Sequence, residues 1–295
     1  MGAVSGGPKE ERFKFIDEHR DAFGVRYLCR RLDVSHSGFY KWLTRPESLR
    51  AASNKELKQA IKLLFDQHDG NYGSPRIHRA LVEQGMLVNH KRVARIMREE
   101  GFVAKAARLY RRKSLPGSSC IKVGNLRWNA PEPDGPNQQW AGDVSYLKLN
   151  GEWIYLSVIL DLYSRKVIGW SLGKNRTTEL TLKSLEMAIS TRKIKPGLIF
   201  HSDKGSEYGA HDYQNRLRSV GIRPSMNRPK SMTDNIHVES FFRTFKTESF
   251  HGEKFEGEEH LHEVTKWYLD EYYNCHRMHT SLDFKSPDQY ERIAA

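Results

Sequence analysis

The chain has 295 residues, of which 48 are Lys or Arg and 36 are Asp or Glu, and its formal net charge of +12 favours a polyanionic partner. Residues 1–135 carry a net charge of +11 and residues 136–295 only +1, so we expect the first half to hold that partner. The sequence has no run of about 18 apolar residues, no apolar signal-peptide core and no CxxC pair among its three cysteines, so we expect a cytoplasmic protein with free thiols.

The first predicted unit, residues 1–50, consists of short helices. Val25, Leu28 and Leu32 recur at the spacing of one helical face. Ser35 follows a turn and can cap a further helix that begins near residue 37. Two short helices joined by a tight turn are typical of a helix-turn-helix.

The second predicted unit, residues 51–103, begins with a long helix at about 53–67. Pro75 opens the next helix, and Asn89 caps a helix that ends near residue 100. In this last helix Val93, Ile96 and Met97 share an apolar face, whereas several cations point outward. A basic helix of this kind can contact phosphates and base edges of DNA; the alternative is a solvated basic face on an ordinary helical bundle. The candidate DNA contacts in this unit are Arg76, Lys91, Arg92 and Arg95.

Residues 104–136 are predicted to form a linker. Residues 101–130 contain seven Lys or Arg and no acidic residue, and Pro and Gly recur from residue 116 onward. The basic run Arg111, Arg112 and Lys113 is either solvated or lies along a DNA backbone, and the charge of this half favours the DNA backbone.

From residue 137 the pattern changes from helices to strands. Strands are predicted at 140–147, 153–160 and 166–172, a helix at 177–191, and a fourth strand at 198–202. Further helices fit 210–219, 234–249 and 257–274. The predicted order is three antiparallel strands, a helix, another strand and more helices. This order is that of an RNase H-like α/β core. We assign this core to residues 137–250 and a helical extension to residues 251–295.

Three acids of this core are candidate ligands for a hard cation. Asp143 interrupts an otherwise apolar strand, where an unpaired buried carboxylate is costly. Asp203 ends the fourth strand, and Glu239 lies on a helix rich in phenylalanine. Each acid alone has an ordinary structural explanation. Together they suit Mg²⁺, which takes a few carboxylate oxygens, and two such ions can promote phosphodiester chemistry. Lys246 follows Glu239 by seven residues, about two helical turns, and therefore shares its face.

The chain also carries a set of motifs spread over nearly its whole length. They are Val34-Ser-His-Ser-Gly-Phe-Tyr-Lys-Trp42, Tyr72-Gly-Ser-Pro-Arg-Ile-His78, Trp140-Ala-Gly-Asp143, Asp161-Leu-Tyr-Ser-Arg165-Lys-Val-Ile-Gly-Trp170, His201-Ser-Asp203-Lys-Gly-Ser-Glu-Tyr208, Asp234-Asn235, Glu239-Ser-Phe-Phe-Arg-Thr-Phe-Lys246-Thr-Glu248, Tyr272-Tyr-Asn-Cys-His-Arg-Met-His279 and Ser286-Pro287. In this combination the chain resembles the insertion-sequence-three family of transposases, relatives of retroviral integrases.

This resemblance implies a bacterial DNA transposase with an integrase core, associated with the nucleoid when bound to DNA. The family's catalytic and metal-binding triad falls on Asp143, Asp203 and Glu239, with two divalent ions, Mg²⁺ or Mn²⁺, and its DNA-contacting cation falls on Lys246. It implies cleavage at the ends of an insertion sequence and 3′-OH strand transfer along a copy-out, paste-in pathway. It further implies a dimer or larger assembly on DNA, with terminal inverted repeats and target DNA as partners, and a frameshift fusion with an upstream-frame protein.

Two features depart from the family pattern. Glu207 stands where Gln is common, and residues 227–233 differ from the glycine-containing loop expected there. Among rival ligands, we interpret Asp161 as structural and paired with Arg165, and we consider His201 and His237 weaker candidates. A zinc site of His260, His262, Cys275 and His279 lacks a standard ligand spacing. Two other functions stay open: a catalytically idle DNA-binding regulator and an RNase H-like nuclease that only hydrolyses.

Overall fold

The computed structural model describes residues 7–45, 49–105, 123–128, 130–228 and 234–294. The chain divides into two compact units, Met1–Ala60 and Ile61–Ala295. Arg111, Arg112 and Lys113 lie outside the described residues, as does most of the predicted linker. In the ranges that the structure describes, no helix is both long and apolar enough to cross a bilayer.

The first unit is helical, as predicted. It contains α1 (Lys9–Phe23), α2 (Val25–Arg31), α3 (His36–Leu43) and the first part of α4 (Leu49–Gln67). Leu28 and Leu32 are buried, and Val25 packs against the same cluster, so the predicted apolar face is confirmed. The Ser35 hydroxyl accepts a hydrogen bond from the Gly38 amide at 3.2 Å, which confirms the predicted cap of α3.

The second unit begins with two further helices, α5 (Ser74–Glu83) and α6 (His90–Glu99). The Asn89 side chain accepts a hydrogen bond from the Lys91 amide at 2.8 Å and caps α6, as predicted. Val93, Ile96 and Met97 are buried, so the cations between them are left on the outer faces of the helix.

The remainder of the second unit is built on a five-stranded mixed sheet of order β3-β2-β1-β4-β5. Its strands are β1 (Gln139–Leu149), β2 (Glu152–Asp161), β3 (Val167–Gly173), β4 (Ile199–Ser202) and β5 (Arg223–Met226). β1, β2 and β3 form an antiparallel meander, whereas β4 pairs in parallel with both β1 and β5. Asn150 and Gly151 have positive φ angles of 48° and 96°, so the predicted tight β1–β2 turn is confirmed.

β5 was not predicted from the sequence. The strand has only four residues and contains Pro224, and proline is tolerated in a sheet mainly at its edge. β5 is indeed the edge strand beside β4. A short strand with a proline carries too weak a pattern to be recognised without its neighbour.

Helices cover both faces of the sheet. They are α7 (Thr178–Thr191), α8 (Ser206–Gly209), α9 (His211–Ser219), α10 (Ile236–Phe245), α11 (Glu258–Lys266) and α12 (Pro287–Ala294), with π-helical segments at Lys246–Phe250 and Trp267–His276 and a 3₁₀ turn at Thr280–Leu282. The predicted helices at 234–249 and 257–274 therefore each begin as an α-helix and continue as a π-helix. Separate apolar clusters lie on the two faces, one with α10 and α11 and the other with α7 and α9. This layered arrangement confirms the predicted RNase H-like α/β core.

Candidate active site

The parallel pairing of β1 and β4 brings two of the three predicted acids together. The register matches Gly142 of β1 with Ser202 of β4, so the next residues, Asp143 and Asp203, lie at neighbouring positions of adjacent strands. Such strands are about 4.8 Å apart. β4 ends at Ser202 while β1 continues to Leu149. The two aspartates therefore lie where the edge of β1 is no longer covered by β4.

The charge of Asp203 acts on the carboxyl group of Asp143. Burial, and next the charge of Asp203, raise the pKa of Asp143 from its ordinary value to about 8, although the Val144 amide donates to Asp143 Oδ1 at 2.8 Å. Burial also raises the pKa of Asp203, against a hydrogen bond at 2.8 Å from the Gly205 amide to Asp203 Oδ1. A like charge raises the pKa of a carboxyl group, and a cation bound between two carboxylates would reduce their repulsion.

Glu239 lies in the first turn of α10 and is exposed to solvent. The start of this helix is fastened to β1, because the buried Asn235 side chain donates from Nδ2 to the Gly142 carbonyl at 3.2 Å. The charge of Glu239 contributes to the raised pKa of Asp143. Nevertheless, within the described ranges no three His, Cys, Asp or Glu side chains lie close enough to hold one metal ion together. The structure thus brings the two aspartates side by side and leaves Glu239 further away.

An arginine that the sequence analysis missed lies at the aspartates. Arg176 donates from Nε to Glu207 Oε1 at 2.6 Å, and its Nη2 lies 3.5 Å from Asp203 Oδ2. Glu207 is only 3% exposed, so its charge needs this partner. The unusual Glu207 is the feature of the sequence that could have revealed Arg176, because a buried carboxylate in place of an amide requires a nearby cation.

Lys246 also lies near the site. Its Nζ is 4.6 Å from the centroid of the Tyr146 ring, a cation–π distance. Burial lowers the pKa of Lys246, and the charge of Asp143 opposes that shift. The ammonium is therefore within electrostatic range of Asp143 and contacts β1 at Tyr146.

The predicted partner of Asp161 was wrong. Asp161 is fully buried and pairs with Arg192, whose Nη2 lies 3.1 Å from Asp161 Oδ2; the Asn137 amide donates to the same oxygen at 2.7 Å. Arg165 instead lies in the turn after β2 with a φ of 61° and lines a separate cavity. Asp161 is structural, as interpreted, but through a residue 31 positions away in the sequence, which local spacing could not reveal.

The rival histidines are engaged within the protein. Buried His201 is hydrogen-bonded through Nδ1 to Ser225 at 2.9 Å and through Nε2 to Asn227 at 2.7 Å, so both ring nitrogens have protein partners. Burial, and next the charge of Arg165, lower the pKa of His237 to about 4. Two residues of the less favoured zinc site also have contacts within the protein. His262 packs on Trp170, and the Cys275 thiol donates to the Asp270 carbonyl.

The predicted DNA contacts of the second helical unit divide into two groups. Arg76 is mostly buried, with Nη1 3.8 Å from Glu248 Oε1, so it acts inside the protein. On α6, Lys91 is exposed, Arg92 is partly exposed, and Arg95 forms a surface pair with Glu99 at 2.9 Å. The three α6 cations remain predicted DNA contacts.

Three families of known domains match the chain. The integrase core domain family matches residues 133–232, and a second integrase core domain family matches residues 220–287. An HTH-like domain matches residues 52–112.

Curated relatives match over almost the whole chain. Transposase InsF for insertion sequence IS3A of Escherichia coli (strain K12) is 37% identical over 282 residues, which cover 95% of this chain and 98% of the relative. The insertion element IS600 uncharacterized 31 kDa protein of Shigella sonnei is 33% identical over 272 residues, covering 91% of this chain and 100% of the relative.

Solved structures also align with the chain. The simian T-cell lymphotropic virus intasome in complex with PP2A regulatory subunit B56 gamma aligns with a TM-score of 0.43 and 18% identity over 79% of this chain and 74% of that one. The HTLV-2 integrase catalytic core domain in complex with magnesium aligns with a TM-score of 0.39 and 20% identity over 54% of this chain and 98% of that one.

Proposed function

Since the chain belongs to the insertion-sequence-three family of transposases, we propose that it cleaves DNA at the ends of its insertion sequence and transfers the freed 3′-OH to a second strand. The protein belongs to the transposase and integrase-core class of enzymes, which transfer polynucleotides. DNA transposition is the activity of the family. The specific roles below are proposed for residues of this chain.

The observation that carries this proposal is the pairing of Asp143 and Asp203 on adjacent parallel strands. Their carboxyl pKa values are raised by burial, and the pKa of Asp143 is raised further by the charge of Asp203. Two partly buried carboxylates at neighbouring positions repel each other unless a cation lies between them, and this arrangement supports a site for divalent ions.

The residues present fit a hard cation, since carboxylate oxygens are the ligands that Mg²⁺ prefers. We assign Asp143, Asp203 and Glu239 as the groups that hold two divalent ions, Mg²⁺ or Mn²⁺. When bound, such ions act as Lewis acids on the phosphodiester and favour ionisation of the attacking hydroxyl. Because Glu239 lies on the exposed face of α10, a small movement of this helix or its side chain is expected on loading.

The other residues hold and orient the DNA. Lys246, which lies beside Tyr146 of β1 and within range of the Asp143 charge, would contact a phosphate beside the reacting one. Arg176, which is held by Glu207, contacts Asp203 directly and would restrict the orientation of its carboxylate. The first step is attack of water on the phosphodiester at the element end, which breaks the bond from phosphorus to the 3′-oxygen and leaves a 3′-OH.

In the second step this 3′-OH attacks another phosphodiester in line and displaces its 3′-oxygen. One phosphodiester is formed and one is broken, so no energy cofactor is required. A copy-out, paste-in pathway joins one element end to the other first. Because two ends are handled together, we propose a dimer or larger assembly on the terminal repeats and target DNA, with an upstream-frame partner protein.

A strand-transfer assay tests the proposal. The purified chain is incubated with labelled DNA carrying its element's end and Mg²⁺ or Mn²⁺, and wild type is compared with Glu239→Gln. Joined products that require metal and disappear in the variant, while DNA binding persists, are expected. Glu186→Gln is the matched control, because Glu186 is an exposed acid paired with Arg216 on the surface.

The other outcomes separate the alternatives. Nicking without joining would identify a nuclease that only hydrolyses. Binding without either reaction, also in a fusion with the upstream-frame protein, would identify a regulator.

A further inference from the structure

A small cationic cavity lies on α10, the helix that carries Glu239. Its volume is about 100 Å³, well below the roughly 300–1,000 Å³ of sites for drug-sized molecules. Its polar walls include Arg165 from the turn after β2, His237 and Ser240 from α10, and Arg277, His279 and Ser281 from the segment before α12. No Asp or Glu belongs to its described lining.

The donors of this cavity are not matched by acceptors. Arg165 Nη1 is buried and has no hydrogen-bond partner among the described residues, and unsatisfied buried donors of this kind are rare. Arg277 differs, because its guanidinium is bound by Glu248 with two distances of 2.7 Å. Arg165 therefore has a free donor, Nη1, at the cavity, and the carboxylates of Glu132 and Asp161 act on its charge only at longer range.

His279, one of the two histidines that line the cavity, can donate only from Nδ1. Arg277 Nη1 donates toward His279 Nε2 at 3.4 Å, which assigns the ring proton to Nδ1. His279 is buried, and burial together with the charge of Arg277 keeps its pKa well below the ordinary value, so the ring is neutral. Exposed Ser240 and Ser281 stand at the mouth of the cavity and add hydroxyl donors.

We propose that this cavity binds a phosphate group of the DNA backbone, one other than the phosphate that reacts. Its size excludes a nucleoside, its charge requires an anion, and its converging donors suit phosphate oxygens. His237 and Ser240 lie on α10 close to Glu239 in sequence but on another face of the helix, so a phosphate held here would fix the DNA strand relative to that helix. This assignment rests on the proposed function, because the backbone of bound DNA supplies the phosphate.

Salt dependence of DNA binding tests the site. Affinity for a labelled DNA duplex is measured by fluorescence anisotropy over a range of salt for wild type, Arg165→Gln and Arg165→Lys. Losing one phosphate contact lowers the slope of log K against log salt by about 0.9. We expect this loss for Arg165→Gln and a wild-type slope for Arg165→Lys, which keeps the charge. Arg218→Gln, at an exposed position of α9, should leave the slope unchanged.

A second variant guards against loss of folding. Ser240→Glu adds a negative charge at the exposed mouth without disturbing the core, and it should lower the affinity and the slope as Arg165→Gln does. A wild-type slope in both variants would overturn the proposal. Protection against thermal unfolding by inorganic phosphate that depends on Arg165, combined with an unchanged DNA slope, would also overturn it, because the cavity would then bind free phosphate. If wild type itself does not bind duplex DNA, the proposed function fails together with this inference.

Discussion

At the scale of single residues, Asp143, a proposed metal ligand, has a cost in stability. Its pKa of about 8 in the folded protein lies far above its ordinary value of 3.8. The folded state therefore holds a proton that the unfolded state releases between these pH values. Without metal, the folded protein loses stability as the pH rises from about 4 to about 8.

This linkage predicts a stabilising substitution that destroys function. Asp143→Asn removes the carboxylate, so it should raise the Tm of the metal-free protein, by about 2–4 °C for each kcal/mol relieved. The gain should be small near pH 4 and largest above pH 8. Differential scanning calorimetry in chelator measures it, and the strand-transfer assay should show no product. An equal or lower Tm at every pH would contradict the raised pKa.

Arg176 provides a second test at this scale. If Arg176, held by Glu207, positions Asp203 by direct contact, then Arg176→Gln should weaken metal binding and slow strand transfer about tenfold or more. Arg176→Lys keeps the charge but not the two-pronged geometry, so it should restore only part of the loss. Isothermal titration with Mn²⁺ measures the affinity directly. Unchanged Mn²⁺ affinity in Arg176→Gln would contradict a positioning role.

The residues of the site differ in how well the sequence reveals them. Asp143 and Asp203 are visible because a carboxylate interrupts or ends an apolar strand. Arg176 is not visible, because its contact with Glu207 joins α8 to a residue 31 positions earlier. Asp161 was likewise assigned to the nearby Arg165 when the fold pairs it with Arg192.

At the scale of elements, three of the sequence motifs meet at one buried carboxylate. Glu248, in the π-helical segment after α10, accepts from Arg277 Nε and Nη2 and from the Tyr268 hydroxyl at 2.7–2.8 Å. Arg76 of α5 approaches the same carboxylate at 3.8 Å, and Tyr72 donates to the His276 carbonyl at 3.2 Å. The motifs around residues 72–78, 246–248 and 272–279 thus form one packed network.

This network predicts a large loss of stability for a small change. Glu248→Gln would leave Arg277 buried without its counterion, which costs about 3–5 kcal/mol. Glu179→Gln, in a surface pair with Lys183, should cost less than about 1 kcal/mol. Urea denaturation of both variants measures the difference. Equal losses would show that the Glu248 contacts contribute little to folding.

Elements with a strong pattern were predictable and weak ones were not. The meander of β1, β2 and β3 could be predicted from apolar runs and the Asn150-Gly151 turn. β5 could not, because it forms as a strand by parallel pairing with β4. The π-helical continuation of α10 at Lys246 could not be predicted either, because the apolar spacing of residues 238–245 is that of an ordinary α-helix.

At the scale of the whole molecule, the uneven charge predicts where DNA binding energy comes from. Residues 1–135 carry a net charge of +11 and the remainder +1. Each cation that contacts a phosphate contributes about 0.9 to the slope of log K against log salt. We therefore expect an exposed cation of the first half to contribute more to the affinity for DNA than an exposed cation of the second half with the same chemistry.

Lys91 and Lys193 form a matched pair for this test, because both are exposed lysines and they lie in different halves of the sequence. Lys91→Gln on α6 should weaken duplex binding and reduce the salt slope by about 0.9, whereas Lys193→Gln should leave both unchanged. Fluorescence anisotropy over a salt series gives both quantities, and the strand-transfer rate at saturating DNA should be normal in both variants. If Lys193→Gln reduced the slope and Lys91→Gln did not, α6 would be a solvated basic face and the DNA would follow the catalytic half instead.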